Sequence, residues 1–222
     1  MKVLINGLDE RVKALQPLIP SDVDCMTVTT EALFSEVSSF QPDVIFMADL
    51  DEHPERLSLL TAFDGVVVGC AVKRSLYEMA AAYDGALPFT LVGMNMWPFF
   101  ASRESREMSR LSDNAVPAFI EAWGWKVRWV ADRVGMVTPR ILVMIINEAY
   151  YTVQEGTASK EAINTAMRLG TNYPGGPFEW VAAIGVKEVY GLLVRLWEDT
   201  RDPRYRPAPL LKEEAYMNGS GR

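Results

Sequence analysis

From Lys2 to Met94 short apolar runs alternate with stretches of helical period, and this alternation constrains the fold more than anything else in the chain. Lys2–Asn6 precedes Val12, Leu15 and Leu18 in helical register, and Cys25–Thr29 precedes Ala32, Leu33, Phe34 and Val37. Val44–Met47, a helical segment Glu55–Phe63, Gly65–Val72, a second such segment Ser75–Tyr83 and Phe89–Met94 complete the series. A run that is apolar throughout, such as Val44–Met47, suits a strand covered on both faces. Strands separated by helices of this length form βαβ units with right-handed crossovers. The first half is therefore predicted to be a doubly wound parallel α/β layer.

Past Ser112 the pattern changes. A helix is expected over Asp113–Trp123 and one more strand over Lys126–Ala131, after which only helical periodicity remains. Met136–Gln154 is apolar almost all round, broken by Arg140, Asn147 and Glu148, which predicts a helix enclosed by its neighbours. Ser159 is placed to cap a helix whose Ala162, Ile163, Ala166 and Met167 share a face and whose Gly170 stands at the usual stop. Glu179–Ile184 and Val186–Trp197 extend the bundle, while Asp202–Pro209 and the residues after Met217 read as loosely held. The expected division is residues 1–132 for the α/β layer and 133–222 for an all-helical domain.

Composition narrows the function classes. Apolar residues make up 49% of the chain and charged ones 23%, the balance of a packed globular protein. Asp plus Glu number 29 against 22 Lys plus Arg, and the net charge of minus 7 disfavours binding to a phosphate backbone, so no nucleic-acid partner is expected. The longest apolar runs fall short of the ~20 residues that span a bilayer, and the start lacks a signal-peptide layout. The chain is therefore expected in the cytoplasm and off the membrane. Cys25 and Cys70 have no metal-ligand spacing and lie in apolar runs, where thiols are usually buried. The single histidine, His53, lies in the polar turn Asp51-Glu52-His53-Pro54, so a His-based metal site or Ser-His-Asp triad would have to use it. No metal is expected.

Specific motifs add a resemblance. Asp132-Arg133-Val134-Gly135-Met136-Val137-Thr138-Pro139-Arg140-Ile141, then Asn147-Glu148-Ala149, Glu155-Gly156 and Ala158-Ser159-Lys160-Glu161 resemble the start of the C-terminal domain of 3-hydroxyacyl-CoA dehydrogenases. Ala166-Met167-Arg168-Leu169-Gly170 leading into Tyr173-Pro174-Gly175-Gly176-Pro177-Phe178-Glu179-Trp180 is similar to that family's helix and Gly/Pro turn, so the likeness runs from Ser112 to Trp197. Upstream, Gly93-Met94-Asn95-Met96-Trp97-Pro98 is similar to the family's Gly-x-His-Phe-Phe-Asn-Pro, and Val72-Lys73-Arg74-Ser75-Leu76 to its Asn-Thr-Ser-Ser-Leu turn. The resemblance implies a shortened Rossmann-like sheet followed by an all-helical C-terminal domain. It also implies NAD-dependent oxidation of 3-hydroxyacyl-CoA in fatty-acid metabolism, and a homodimer formed through the helical domain.

Position by position, the family's site is altered. Its His base falls on Asn95, whose amide cannot accept a proton at any useful pH. Its Glu partner falls on Glu107, alternatively an ordinary helix-surface residue among Arg103, Glu104, Arg106 and Arg110. Of the substrate-contacting Ser pair Ser75 remains beside Arg74. The Asn that opens the long helix is Pro139, which is comfortable in a first helical turn. The dinucleotide turn is reduced to Asn6-Gly7-Leu8-Asp9-Glu10-Arg11-Val12. Gly7 alone survives of Gly-x-Gly-x-x-Gly, and Asp9 and Glu10 bring negative charge where a pyrophosphate would sit. Glu31, the acid nearest the end of the second strand, is assigned by spacing to the next helix. The family's basic insertion that helps hold CoA is missing.

The leading expectation is a 3-hydroxyacyl-CoA dehydrogenase-like protein that has lost the oxidation, needs no cofactor and keeps a scaffold or binding role. One alternative is an active 3-hydroxyacyl-CoA (3-hydroxybutyryl-CoA) dehydrogenase that uses NAD. Another is different chemistry on an acyl-CoA or other anionic small molecule, held in the same cleft by Lys73, Arg74 and Glu107. Phe178, Trp180, Tyr190, Leu193 and Trp197 carry more large apolar surface than a few short helices readily hide, which supports the homodimer; burial inside the bundle is the other reading.

Overall fold

A computed structural model describes residues 1–101, 103–111 and 115–217, which fall into two compact units, Met1–Met136 and Val137–Arg222. The first unit holds seven strands: β1 Lys2–Asn6, β2 Asp24–Val28, β3 Val44–Met47, β4 Val66–Cys70, β5 Thr90–Met94, β6 Ser105–Arg110 and β7 Lys126–Trp129. They form one sheet in the order β2-β1-β3-β4-β5-β6-β7, parallel at every step except β5 to β6. The short helices are α1 Asp9–Leu15, α2 Leu33–Phe40, α3 Leu76–Ala80, α4 Pro98–Ala101 and α5 Ala118–Ala122.

Register shows why the central strands are apolar throughout. Leu4, Ile45, Val67 and Leu91 pair in one row across β1, β3, β4 and β5 and face a layer containing Leu33, Val37, Leu57, Leu60, Leu76 and Met79. The next row, Ile5, Phe46, Val68 and Val92, is buried too, with Phe46 packed against Phe119, Trp123 and Trp125. A sheet covered on both sides has no polar row to spare. Because β1 leads to β2 on one side and β3 lies on the other, the winding reverses between β1 and β3, and a crevice at their carboxyl ends follows.

Several expectations fail locally. Ser105–Arg110 is a strand, so Glu107 is no helix-surface residue; pairing with β5 and β7 on both sides overrides a charged, helix-like composition. Glu55–Phe63 condenses into a 3-10 turn over Pro54–Leu60, and the helix expected from Asp113 is only Ala118–Ala122, with Ser112 to Asn114 outside the described residues. Cys25 is exposed because β2 is an edge strand, and Glu31 stands in the turn before α2 rather than within it.

The second unit consists of α6 Thr138–Gln154, α7 Lys160–Thr171, α8 Pro177–Ile184, α9 Val186–Thr200 and α10 Pro209–Met217. Leu142, Val143, Ile146, Ala149 and Tyr150 of α6 are buried, as are Trp180 and Ile184 of α8, Val189, Leu192, Leu193 and Leu196 of α9, and Leu211 of α10. The long helix is not enclosed: Ile141 is 56% exposed, and Met144, Ile145 and Glu148 line an open groove of about 410 Å³ with Ile163 and Met167 of α7. Ser159 caps α7 by accepting from Ala162 N, but the helix runs through Gly170 and stops at Asn172, whose φ of 56° turns the chain.

The stretch 202–209 is firmly held, against expectation. Asn147 Nδ2 donates to Arg206 O over 2.9 Å, Ala208 N donates to Asn147 Oδ1 over 2.8 Å, and Tyr205 and Ala208 are buried. The residues after Met217 lie outside the described ones.

Candidate functional site

The turn after β1 is where a doubly wound sheet takes a phosphate group, and here it is tightly closed. Gly7 has φ +136°, and a Cβ built on it would lie 2.8 Å from Ala48 Cβ and 3.0 Å from Asp49 Oδ1. Ala48 N donates to Asn6 O over 2.8 Å, which draws the end of β3 onto the end of β1. Arg11, on α1, is buried with its guanidinium pointing into the protein. It donates to Ala48 O over 2.8 Å and to Glu52 Oε1 over 3.1 Å, and stands 3.3 Å from Asp51 Oδ1.

Asp51 is buried at the centre of this network. Its Oδ2 accepts from Val72 N over 3.2 Å and Lys73 N over 2.9 Å, and the Cys70 thiol donates to it over 3.4 Å. Burial pushes its carboxyl pKa up, against the pull of Arg11 in the other direction. Lys73 Nζ lies 3.3 Å from Glu52, and Arg74 donates Nε–H to Asp51 O over 2.9 Å while its Nη1 reaches Glu78 at 2.5 Å. The two cations assigned from sequence to an anionic substrate are therefore engaged with the chain's own oxygens. Ser75 is likewise occupied, capping α3 by accepting from Glu78 N, and Asp132 takes Leu76 N and Tyr77 N over 2.7 and 3.1 Å.

At the end of β5, Asn95 N donates to Glu107 O over 3.0 Å, so the structure brings these two residues side by side on neighbouring antiparallel strands. Asn95 is 3% exposed; its Oδ1 accepts from Trp97 N and its Nδ2 finds no acceptor among the described residues. The contact between them runs through the main chain, and Asn95 brings an amide to this position, not an imidazole. Pro139 is in the first turn of α6, in the other unit, and is buried. His53 is partly exposed beside the exposed Glu55, and no group of three or more His, Cys, Asp or Glu able to hold a metal occurs among the described residues. No helix among them is long and apolar enough to cross a membrane.

Sequence reading missed Arg11, Asp51 and Asp132. Each looks like a solvated turn or helix charge in sequence, and only burial reveals its partners.

The sheet order, with its crevice beyond β1 and β3, defines a Rossmann-type α/β unit, followed along the chain by a helical one. A family model for the 3-hydroxyacyl-CoA dehydrogenase C-terminal domain matches residues 135–222. The 3-hydroxyadipyl-CoA dehydrogenase of Escherichia coli (strain K12) is 42% identical over 99 residues, 45% of this chain and 21% of its own length. The 3-hydroxybutyryl-CoA dehydrogenase of Bradyrhizobium diazoefficiens is 32% identical over 165 residues, 72% of this chain and 56% of its own. The chain thus spans no more than 56% of the length of these two relatives. The solved (S)-3-hydroxybutyryl-CoA dehydrogenase of Ralstonia eutropha shares the fold at TM-score 0.73 and 21% identity, covering 98% of this chain and 94% of that one. FadB2 of M. tuberculosis does so at TM-score 0.80 and 16% identity, covering 97% and 93%. Residues 135–222 thus match the 3-hydroxyacyl-CoA dehydrogenase C-terminal domain, and the chain as a whole shares the fold of these solved structures.

Proposed function

We propose that this protein is a 3-hydroxyacyl-CoA dehydrogenase-like member that no longer oxidises 3-hydroxyacyl-CoA with NAD and keeps a scaffold or binding role as a homodimer. The observation that carries the reading is Asn95, the residue that the resemblance sets at the family's His position, buried at the end of β5 with Glu107 opposite it on β6. An amide donates to an oxygen but takes no proton from an alcohol, and hydride transfer from that alcohol needs the proton removed. The turn after β1 supports the same reading, because one glycine pressed against Ala48 does not fit a dinucleotide pyrophosphate in the family manner. A cytoplasmic location belongs to this reading, to be checked by fractionation.

The active-enzyme alternative is favoured by the relatives' names, and one titration separates the two. Nicotinamide fluorescence of NADH is expected to show no saturable change on adding the protein, with or without acetoacetyl-CoA. Formation of NADH from NAD and 3-hydroxybutyryl-CoA, in proportion to protein, would overturn the proposal.

A further inference from the structure

We propose that Asp51 is a built-in anion: its carboxylate holds backbone amides just beyond β4 that a doubly wound sheet can offer a ligand, and the segment 48–52 so anchored plugs the crevice between β1 and β3. The amides are those of Val72 and Lys73, at 3.2 and 2.9 Å from Asp51 Oδ2. The countercharge is internal as well. Arg11 stands 3.3 Å from Asp51 Oδ1, and the two side chains are 4% and 0% exposed.

Burying opposite charges is unfavourable unless each finds further partners, and here the partners come from α1 and from the carboxyl ends of β3 and β4. Arg11 is on α1, Ala48 follows β3, and Val72 and Lys73 follow β4. The segment is fixed at a second point by Arg56, whose Nη1 donates to both oxygens of Asp49 over 2.8 and 2.9 Å. It is fixed at a third by Ala48 N on Asn6 O, with Ala48 filling the space above Gly7. A phosphate arriving at this edge would have to displace a carboxylate already bonded to two amides and paired with a guanidinium. The proposal does not use the missing base, so it and the functional reading can fail separately.

The test vacates the position. Asp51→Ala leaves the two amides without their acceptor and Arg11 with Glu52 as its remaining carboxylate, and its melting temperature is measured in inorganic phosphate and in sodium chloride of equal ionic strength. Phosphate at about 100 times its dissociation constant is expected to raise it by about 5–10 °C. Wild type and Asp51→Asn, whose side chain still fills the place, are expected to gain nothing beyond the salt control. Equal responses in all three would overturn the proposal. Since Asp51→Ala removes one of the two carboxylates beside a buried guanidinium and can fail to fold, amide exchange in the wild-type protein supplies a second decision. Val72 and Lys73 are expected to be as protected as the amides within β4, and exchange at the rate of exposed turns would be equally fatal.

Discussion

Cys70 closes β4 inside the core, with its Sγ 3.4 Å from a carboxylate oxygen of Asp51. Burial, and after it that negative charge, pushes its pKa far up. Cys25 stands on the exposed edge strand, and its pKa is raised by partial desolvation and then by Asp24. The thiolate is the reactive form, so the two residues separate chemically. A chromogenic disulfide reagent at neutral pH is expected to modify one cysteine per native chain and the second only after denaturation. Since the Cys25 pKa is raised, its rate should go on climbing as pH passes about 8.5, the ordinary thiol value. Cys25→Ser should abolish the native reaction. Rapid modification of both thiols in the folded protein would mean that the network around Asp51 opens freely.

Asn147 shows how one side chain can fix a whole element. Its amide satisfies Arg206 O and Ala208 N at the entry to α10, two backbone groups with no helix of their own to join. Each polar group left buried without a partner costs about 1–3 kcal/mol, so Asn147→Ala is expected to destabilise the helical unit by about 2–4 kcal/mol. Deuterium exchange should localise the loss to residues 206–217, and a uniform change across the unit would show that Asn147 acts through packing alone. This clip also marks the limit of sequence reading at the scale of elements. Strands β3 and β4 and the capped helix α7 were legible, because apolar runs and a Ser cap are local signals. Strand β6 was not, since Ser-Arg-Glu-Met-Ser-Arg becomes a strand only by pairing with β5 and β7. The hold on 202–209 comes from a residue far away in sequence, and no periodicity records it. At the candidate site, resemblance points to Asn95, Glu107 and Gly7; nothing in the sequence points to Arg11 and Asp51, because a buried ion pair has the composition of a solvated turn.

At the scale of the whole molecule the apolar surface of the helical unit has yet to find a partner. Trp180 and Leu193, expected to supply it, are buried within the unit, and Phe178, Tyr190 and Trp197 are half-covered. Exposed apolar side chains lie instead on α6, α7 and α10, where Ile141 is 56%, Leu169 82% and Met217 76% exposed, and the helical unit also carries the apolar groove of Met144, Ile145, Ile163 and Met167. A protruding leucine and an apolar groove on one unit suit an isologous pair, in which each copy gives and receives the same contact. Light scattering across a concentration series is therefore expected to give twice the chain mass of 24.9 kDa. Leu169→Lys should leave the isolated chain almost unchanged, since so exposed a substitution alters stability by no more than about 0.5 kcal/mol. In a dimer the same charge would be desolvated against apolar surface, weakening association by about 2 kcal/mol or more, roughly 30-fold. Wild type at 24.9 kDa throughout the series would remove the dimer from the proposal; a dimer unmoved by Leu169→Lys would place its interface on another face of the chain.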